Sequence, residues 1–227
     1  MKLDRLTLSS AIKECSSRRP IVHPSDKSIS NLVSEITSVY SKGEHTLAKV
    51  LSAAIFEAAN LTHEVSLAVT GMAWLGAGVS SVEQRLLDLI STANQRILLC
   101  CYRISTGAIP LLDALAEASR QGVSTTLVCD SFNKQPRIIQ DYLRQNAARF
   151  GDKFAVYDFM ETDEYTALHA KVVVVDQHTA LIGSANLSFH GMVANHEMAV
   201  VVSGPIAAEI SSRIDMLLKS ALVQRIT

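Results

Sequence analysis

The chain has 227 residues and a mass of 24.6 kDa, which allow one large domain or a domain of about 150 residues with a smaller one beside it. Hydrophobic residues make up 48% and charged residues 19%, so a core can be buried and disorder over the whole length is excluded. A formal net charge of -1 excludes binding to nucleic acid through bulk charge alone, although a local basic groove remains compatible with it.

The first part of the chain carries helical patterns and few strand signals, which predicts a small N-terminal helical region over residues 1–66. Ser25 provides a helix start signal, and apolar residues recur at helical spacing over residues 29–39. Gly43 interrupts this pattern, and a second helix is predicted over residues 47–58.

From residue 67 onwards, strand and helix patterns alternate, which predicts an α/β domain over residues 67–227 with a mixed sheet and helices on both faces. The fourth helix begins at Pro205, a residue that suits the first helical turn. The predicted strands and helices are short and have glycine-rich or polar boundaries. The strands are predicted at residues 66–71, 96–104, 123–129, 153–159, 168–176, 179–184 and 197–203. The helices are predicted at residues 81–93, 108–120, 136–150 and 205–222.

Sequence features also predict the cellular compartment of the protein. Apolar stretches fall short of the roughly 18 residues that a membrane span requires, and Asp4 lies where a secretory signal would be basic and then apolar. The cysteines lack the CxxC spacing of zinc or redox sites, which predicts a cytoplasmic protein with reduced thiols, no disulfide framework and no metal or cofactor: Cys15, Cys100, Cys101 and Cys129.

Two residues at the start of the fifth predicted strand suit phosphate chemistry. Side chains alternate along a strand, so His169 and Lys171 are expected to face the same way, about 7 Å apart. An imidazole is a competent nucleophile or general acid near neutral pH, and an ammonium beside it stabilises charge on phosphoryl oxygens. The apolar run at residues 172–175 is typical of a central strand buried on both faces.

Polar residues follow at fixed distances. Asp176 has the opposite strand parity from His169, so we expect it to brace a turn. Ser184 and Asn186 share a parity, so in an extended chain both side chains could hydrogen-bond the same anion. The Glu197 carboxylate could accept a hydrogen bond from one ring nitrogen of His169 and so fix the tautomer of the imidazole.

The spacing His-x-Lys-x4-Asp-x6-Gly-Ser-x-Asn, which runs from His169 to Asn186, resembles the HKD motif of the phospholipase D superfamily. Glu197 resembles the acid that follows this motif in the small bacterial nucleases of the superfamily. The resemblance implies a phospholipase-D-like fold and a catalytic domain over residues 67–227. The helical N-terminus with a single-motif domain is also similar to the phospholipase-D-like component of DISARM antiphage defence systems.

The resemblance implies a role for each motif residue. His169 would attack phosphorus and form a phosphohistidine without a metal, and Lys171 and Asn186, helped by Ser184, would bind phosphoryl oxygens. Glu197 would orient His169, and Asp176 (in the motif) would be structural. Members of the superfamily use two such motifs, whereas this chain has one, so the expected enzyme is a homodimer that shares two histidines.

Several alternatives remain open at this point. The substrate is expected to be nucleic acid, but a phospholipid-cleaving phosphodiesterase or a non-catalytic, nucleic-acid- or protein-binding subunit of a defence complex also fits. The basic residues around the helix at 136–150 suit a nucleic-acid backbone or a solvated helix face. The acids Glu161, Asp163 and Glu164 would repel phosphates if they line the entrance, or they would restrict the site to single strands or small diesters. Trp74 suits either base stacking or packing of a loop.

Overall fold

The computed structural model describes residues 34, 36–51, 65–74, 79–160 and 165–226. The chain divides into two units, Met1–Glu64 and Val65–Thr227. The first strand of the second unit begins at Val65, so the predicted division after residue 66 falls inside that strand.

The described part of the first unit contains helical residues 36–41 and 45–51. Gly43 between them has a φ of +84°, a backbone conformation that glycine adopts without steric cost. The predicted interruption at Gly43 is therefore confirmed. The other predicted helical residues of this region lie outside the described residues.

The second unit alternates strands and helices, as the sequence predicts. Ser81 caps the first helix by accepting a hydrogen bond from the backbone N–H of Gln84 at 3.1 Å, which satisfies one of the free donors of a helix start. In chain order the elements are β1 Val65–Thr70, β2 Ser80–Ser81, α1 Val82–Ser91, β3 Arg96–Cys101, α2 Ile109–Arg120, β4 Ser124–Asp130, α3 Arg137–Phe150, β5 Phe154–Phe159, β6 Val172–Val175, β7 Thr179–Gly183, β8 Glu197–Ser203, α4 Pro205–Leu218 and β9 Val223–Ile226.

The nine strands form one mixed sheet in the order β2-β1-β8-β7-β6-β3-β4-β5-β9. The centre combines the parallel set β3-β4-β5 with the antiparallel set β3-β6-β7-β8-β1. Because of these directions, the ends of β1, β2, β3, β4, β5 and β7 and the starts of β6, β8 and β9 meet at one edge of the sheet.

Both faces of the sheet pack against helices, which confirms the predicted layering. On one face, Leu99, Val173 and Leu181 of the sheet join a core with residues of α1, α2 and α3. On the other face, Val174 and neighbouring residues pack against Ile214 and other residues of α4. Each fully buried aliphatic side chain of this kind contributes about 1.5–3 kcal/mol of transfer free energy.

Two predicted boundaries are wrong by four residues, and the short strand β2 was not predicted. The strand expected from residue 168 begins at Val172, because the chain before it contacts the neighbouring strand ends. The last helix ends at Leu218 rather than near residue 222, since the chain then turns to pair β9 with β5. The strand β2 has only two residues and pairs with β1, too short for a periodic pattern.

Three buried thiols lie in the central strands. Cys100 and Cys101 belong to β3 and Cys129 to β4. Burial raises the pKa of Cys100 and of Cys129 to about 12, and it also raises the pKa of Cys101. Within the described ranges, no helix has both the length and the apolar character needed to cross a bilayer.

Candidate active site

The motif residues lie at the sheet edge where β6 and β8 begin and their neighbours β3, β7 and β1 end. The chain reaches this edge at His169 and Lys171 just before β6, and leaves it at Ser184 just after β7. Glu197 opens β8 beside them. The backbone N–H of Gly183 donates to the carbonyl of Lys171 at 3.1 Å, which extends the β6–β7 pairing to the motif.

His169 and Lys171 are in direct contact, closer than regular strand geometry predicts. The Lys171 ammonium lies 2.9 Å from Nδ1 and 3.0 Å from Nε2 of the His169 imidazole, and it donates to the His169 carbonyl at 2.9 Å. Partial burial lowers the pKa of Lys171, whereas the Glu197 carboxylate and the Cys101 thiol raise it. The site thus places a cation beside the imidazole.

Glu197 contacts a different partner from the one predicted. Its carboxylate accepts hydrogen bonds from the Ser184 hydroxyl and from the Asn195 side-chain amide, the latter at 3.1 Å. Among the described residues, no hydrogen bond joins Glu197 to His169, and the Lys171 ammonium is the group that lies against the ring nitrogens. Ser184 also accepts from the backbone N–H of Met198 at 3.3 Å, so Ser184 and Glu197 form one unit.

Asn186 is held by close backbone packing. A π-helical turn at His190–Ala194 lies against it, and a Cβ on Gly191 would come 2.3 Å from the Asn186 carbonyl oxygen. Gly183 allows a similar approach, since a Cβ there would lie 2.7 Å from that of Ala199. The Asn186 Oδ1 atom is buried and has no hydrogen-bond partner within the described part of the chain, which is rare for a buried acceptor.

Asp176 lies at the far end of β6 from His169, in the β6–β7 turn. Its carboxylate accepts three hydrogen bonds at 2.8 Å from the backbone N–H groups of Asn94, Gln95 and Arg96. Burial raises the pKa of Asp176, but these donors outweigh it and the pKa lies below its ordinary value. This geometry agrees with the turn-bracing role expected from strand parity.

Four residues at this edge were missed by the sequence analysis. Tyr102 and Arg103 follow β3, and the Tyr102 ring lies 4.6 Å from the His169 ring between centroids. Asp130 ends β4 and accepts from the backbone N–H of Leu168 at 2.8 Å. Their place directly after two adjacent parallel strands was the available signal, because such strand ends share one edge.

The fourth missed residue is Gln135, which is 3% exposed. Its amide donates to the carbonyls of Tyr102 at 3.1 Å and Asp130 at 2.6 Å, and its oxygen accepts from the N–H of Ile104 at 2.9 Å. Nothing in the sequence distinguishes this glutamine, since its three partners come from two separate strand ends.

Other residues considered from the sequence have local partners. His178 is exposed in the β6–β7 turn, and His196 packs edge-on against Trp74 with 5.4 Å between ring centroids. In the basic run, Arg144 lies 4.9 Å from the centre of the Phe132 ring, as in a locally packed helix face. The predicted acidic entrance at residues 161, 163 and 164 lies outside the described residues.

Two solved structures share the fold of the second unit. The chain is similar to the phospholipase D family member Nuc from Salmonella typhimurium, with a TM-score of 0.57, 21% identity, and coverage of 73% of this chain and 99% of that chain. It is also similar to NucT from Helicobacter pylori, with a TM-score of 0.53, 18% identity, and coverage of 70% and 98%. At these identities the likeness shows the fold.

The sequence relatives include a DISARM protein and a cardiolipin synthase. The chain is 29% identical over 139 residues to the DISARM protein DrmC of Bacillus paralicheniformis, covering 61% of this chain and 57% of that protein. It is 30% identical over 108 residues to cardiolipin synthase B of Escherichia coli, covering 43% and 26%. The chain thus spans less than two thirds of these relatives.

The family comparison covers most of the second unit. Residues 86–219 match the family described as "Cardiolipin synthase, PLD-like domain". This match extends over more than half of the chain and includes every residue of the His169–Asn186 motif. The chain therefore belongs to the phospholipase-D-like domain family of the phospholipase D superfamily.

Proposed function

We propose that the chain is a metal-independent phosphodiesterase, specifically a nuclease, that acts through a phosphohistidine intermediate. The observation that carries this proposal is the His169 imidazole held against the Lys171 ammonium at 2.9 and 3.0 Å. A nucleophilic nitrogen beside a fixed cation is the arrangement that attack on a phosphodiester requires.

The reaction proceeds in two displacements. A neutral His169 nitrogen forms a bond to phosphorus, the bond from phosphorus to the leaving oxygen breaks, and a general acid protonates that oxygen. The group that acted as the acid then takes a proton from water, and this water attacks the phosphohistidine; the bond from phosphorus to nitrogen breaks and releases the phosphomonoester and the neutral imidazole. Lys171 and Asn186 stabilise the charge on the non-bridging oxygens, and Glu197 favours the charged form of Lys171. Ser184 joins them when its hydroxyl turns away from Glu197, to which it donates in the free protein.

The general acid comes from a second copy of the chain. The sequence contains one His-x-Lys, so a second site histidine of the same kind requires another chain. A two-fold axis beside the sheet edge would bring two copies of His169 to one phosphate. Before the substrate binds, the two histidines of the dimer would be equivalent by symmetry. A cytoplasmic location agrees with this proposal and stays a prediction.

The test is cleavage of labelled single-stranded DNA in excess EDTA by the wild-type protein and by His169→Ala. We expect cleavage by the wild type and none by the variant, because the nucleophile is lost. His178→Ala is the matched control, since His178 lies exposed in the β6–β7 turn. Cleavage retained in His169→Ala, or removed by EDTA, would contradict the mechanism.

We also propose a role in antiphage defence, which the similarity to a DISARM protein supports. Protection against phage by the native system should fall to background with His169→Ala if the nuclease is required. Full protection by that variant, with normal protein levels, would favour the non-catalytic alternative, in which the chain binds nucleic acid or partner proteins of a defence complex.

A second candidate function is cleavage or transfer on phospholipids. Met72 is 88% exposed and Trp74 is 42% exposed after β1, at the same sheet edge as the motif, and apolar and aromatic side chains of this kind insert into membrane interfaces. Sedimentation with vesicles rich in cardiolipin tests this candidate. Binding that Met72→Asp abolishes would support it, whereas no binding would exclude it.

A further inference from the structure

Tyr102 and Arg103 form a stack with the proposed nucleophile. The Arg103 guanidinium carbon lies 4.5 Å from the centre of the Tyr102 ring, and Nη2 donates to the Tyr102 hydroxyl at 3.3 Å. The Tyr102 ring in turn lies 4.6 Å from the His169 ring at an angle of 56°. Added together, these two distances place the Arg103 guanidinium carbon within about 9 Å of the centre of the His169 ring.

The backbone that carries this stack is fixed on two sides. The buried Gln135 side chain binds the carbonyl of Tyr102 and the N–H of Ile104. The backbone N–H of Leu187, next to the motif residue Asn186, donates to the Arg103 carbonyl at 3.1 Å. These hydrogen bonds fix the backbone of Arg103 beside the motif, and the Tyr102 ring and hydroxyl hold its guanidinium.

Arg103 also differs from the paired arginines of the domain. Arg96, Arg120 and Arg225 each form an ion pair, with N–O distances of 2.6, 2.5 and 2.8 Å. Arg103 is only partly exposed, yet no described carboxylate pairs with it. A partly buried guanidinium without an acidic partner is suited to bind an anion, and its planar fork matches a phosphate.

We propose that Arg103 and Tyr102 form a second phosphate-binding site, which takes a non-scissile phosphate of a polynucleotide. This inference rests on the proposed phosphodiesterase function. Lys171 already lies at the imidazole, so a further cation is suited to another phosphate. A stacked strand rises about 3.4 Å per nucleotide and a splayed strand rises further, so the guanidinium is in reach of a phosphate one or two nucleotides away.

The consequence concerns substrate class. A polynucleotide offers neighbouring phosphates and gains from Arg103, whereas a diester with a single phosphate has nothing to place there. Phosphate contacts of this kind fix the register of a strand without reading its sequence. The second site therefore favours polynucleotide over small diesters at the same catalytic centre.

The test compares two substrates with Arg103→Gln. We expect kcat/KM for a labelled single-stranded oligodeoxynucleotide to fall about tenfold or more, as for loss of a charged hydrogen bond. The value for bis(4-nitrophenyl) phosphate, which has one phosphate, should stay within about twofold. Arg213→Gln on α4 is the matched control, since it removes an exposed arginine paired with Glu209.

A binding measurement gives a second readout that does not depend on turnover. In the His169→Ala background, fluorescence anisotropy of the oligonucleotide across a salt series reports the number of phosphates bound. Adding Arg103→Gln should reduce the slope of log K against log salt by about 0.7 for each phosphate that is no longer bound. Arg103→Lys keeps the charge and should recover part of the loss, while thermal unfolding confirms that each variant is folded.

The outcomes separate the second site from the proposed function. Equal losses of kcat/KM on both substrates would overturn the inference, because they would indicate that Arg103 binds the scissile phosphate. No loss on the oligonucleotide, or an unchanged salt slope, would overturn it as well. Cleavage of bis(4-nitrophenyl) phosphate by a wild type that neither binds nor cleaves the oligonucleotide would overturn both the nuclease proposal and the second site, and leave the phosphodiesterase intact.

Discussion

A single carboxylate at Asp176 ties two distant parts of the chain together. It accepts three backbone hydrogen bonds from residues 94–96, at the start of β3, while its own φ of +52° starts the β6–β7 turn. Ionised carboxylates accept hydrogen bonds more strongly than neutral acids do. The stability that Asp176 contributes therefore depends on its charge.

We predict that Asp176→Asn lowers the free energy of unfolding by about 1 kcal/mol at neutral pH, a value kept small by solvent around the turn. The folded-state pKa lies below the ordinary value of 3.8, so this contribution is complete above the ordinary pKa. It is lost as the pH falls through the folded-state value. Urea unfolding of both proteins from pH 7 downwards measures the difference.

Asparagine also tolerates a positive φ, so the substitution adds no backbone strain. It removes the charge together with one accepting oxygen, since both carboxylate oxygens of Asp176 accept backbone hydrogen bonds. The control is Asp152→Asn, whose side chain is 93% exposed and pairs with Arg225; it should change stability by less than about 0.5 kcal/mol. A difference between wild type and Asp176→Asn that persists unchanged into strong acid would contradict the assigned role.

The π-helical turn at His190–Ala194 is the element that fixes the motif's asparagine. Single π turns often occur at functional sites, and here Gly191 lets the turn lie directly on the Asn186 backbone. The turn also accepts a hydrogen bond from the Thr70 hydroxyl at the Met192 carbonyl, at 3.3 Å. The position of Asn186 thus depends on β1, three strands away from β6.

We predict that Gly191→Ala lowers kcat/KM at least about tenfold, because a Cβ 2.3 Å from the Asn186 carbonyl oxygen must displace that residue and small misplacements at active sites are costly. Activity is expressed per folded molecule, with the folded fraction measured by circular dichroism. Unchanged specific activity would show that Asn186 does not act in catalysis.

The comparison variant is Gly122→Ala, at the end of α2. Gly122 has a φ of +99° and nothing within 4 Å of a new Cβ. Alanine there should cost about 1 kcal/mol of stability through backbone strain and leave specific activity unchanged. The two alanine variants therefore separate crowding of the site from strain of the backbone.

The strands and helices of the second unit were predictable where apolar runs are long. The four valines of β6 and the apolar run of β3 indicate buried strands in any arrangement. The strand β9 was missed because its sequence, Val-Gln-Arg-Ile, is short and half polar. The order of strands was also out of reach, since pairing β1 with β8 joins residues far apart in sequence.

The site was predictable only as far as local sequence defines it. His169 and Lys171 are close along the chain, so the motif predicts that they face the same way, whereas their direct contact is closer than the expected separation of about 7 Å. The partners of Ser184, Tyr102 and Gln135 are set by long-range strand pairing, which no spacing rule records. The Ser184–Glu197 hydrogen bond in particular arises because β7 and β8 are neighbours with this register.

At the scale of the whole molecule, the proposed enzyme needs two chains. One phosphate would meet two copies of His169, one as nucleophile and one as acid. An enzyme of this kind loses its activity when either chain lacks the histidine, so catalysis and assembly become linked. Dilution below the dissociation constant should then reduce specific activity.

We predict that wild type and His169→Ala, mixed in equal amounts, unfolded and refolded together, retain about one quarter of the wild-type activity. Random pairing gives one quarter wild-type dimers, and mixed dimers lack either the nucleophile or the acid. Light scattering measures the dimer, and EDTA-resistant cleavage measures the activity. Half of the activity would instead indicate independent subunits, and a strictly monomeric active protein would remove the shared site.

The buried thiols of β3 and β4 give the protein internal reporters of sheet opening. Thiol reagents react with the thiolate, and burial both raises the pKa values of Cys100, Cys101 and Cys129 and hides their sulfur atoms. Alkylation at these positions therefore requires an opening that exposes the central strands β3 and β4 to solvent. In a Cys15→Ser variant, only the three thiols of β3 and β4 remain, so the labelling rate would report how often the centre of the sheet opens.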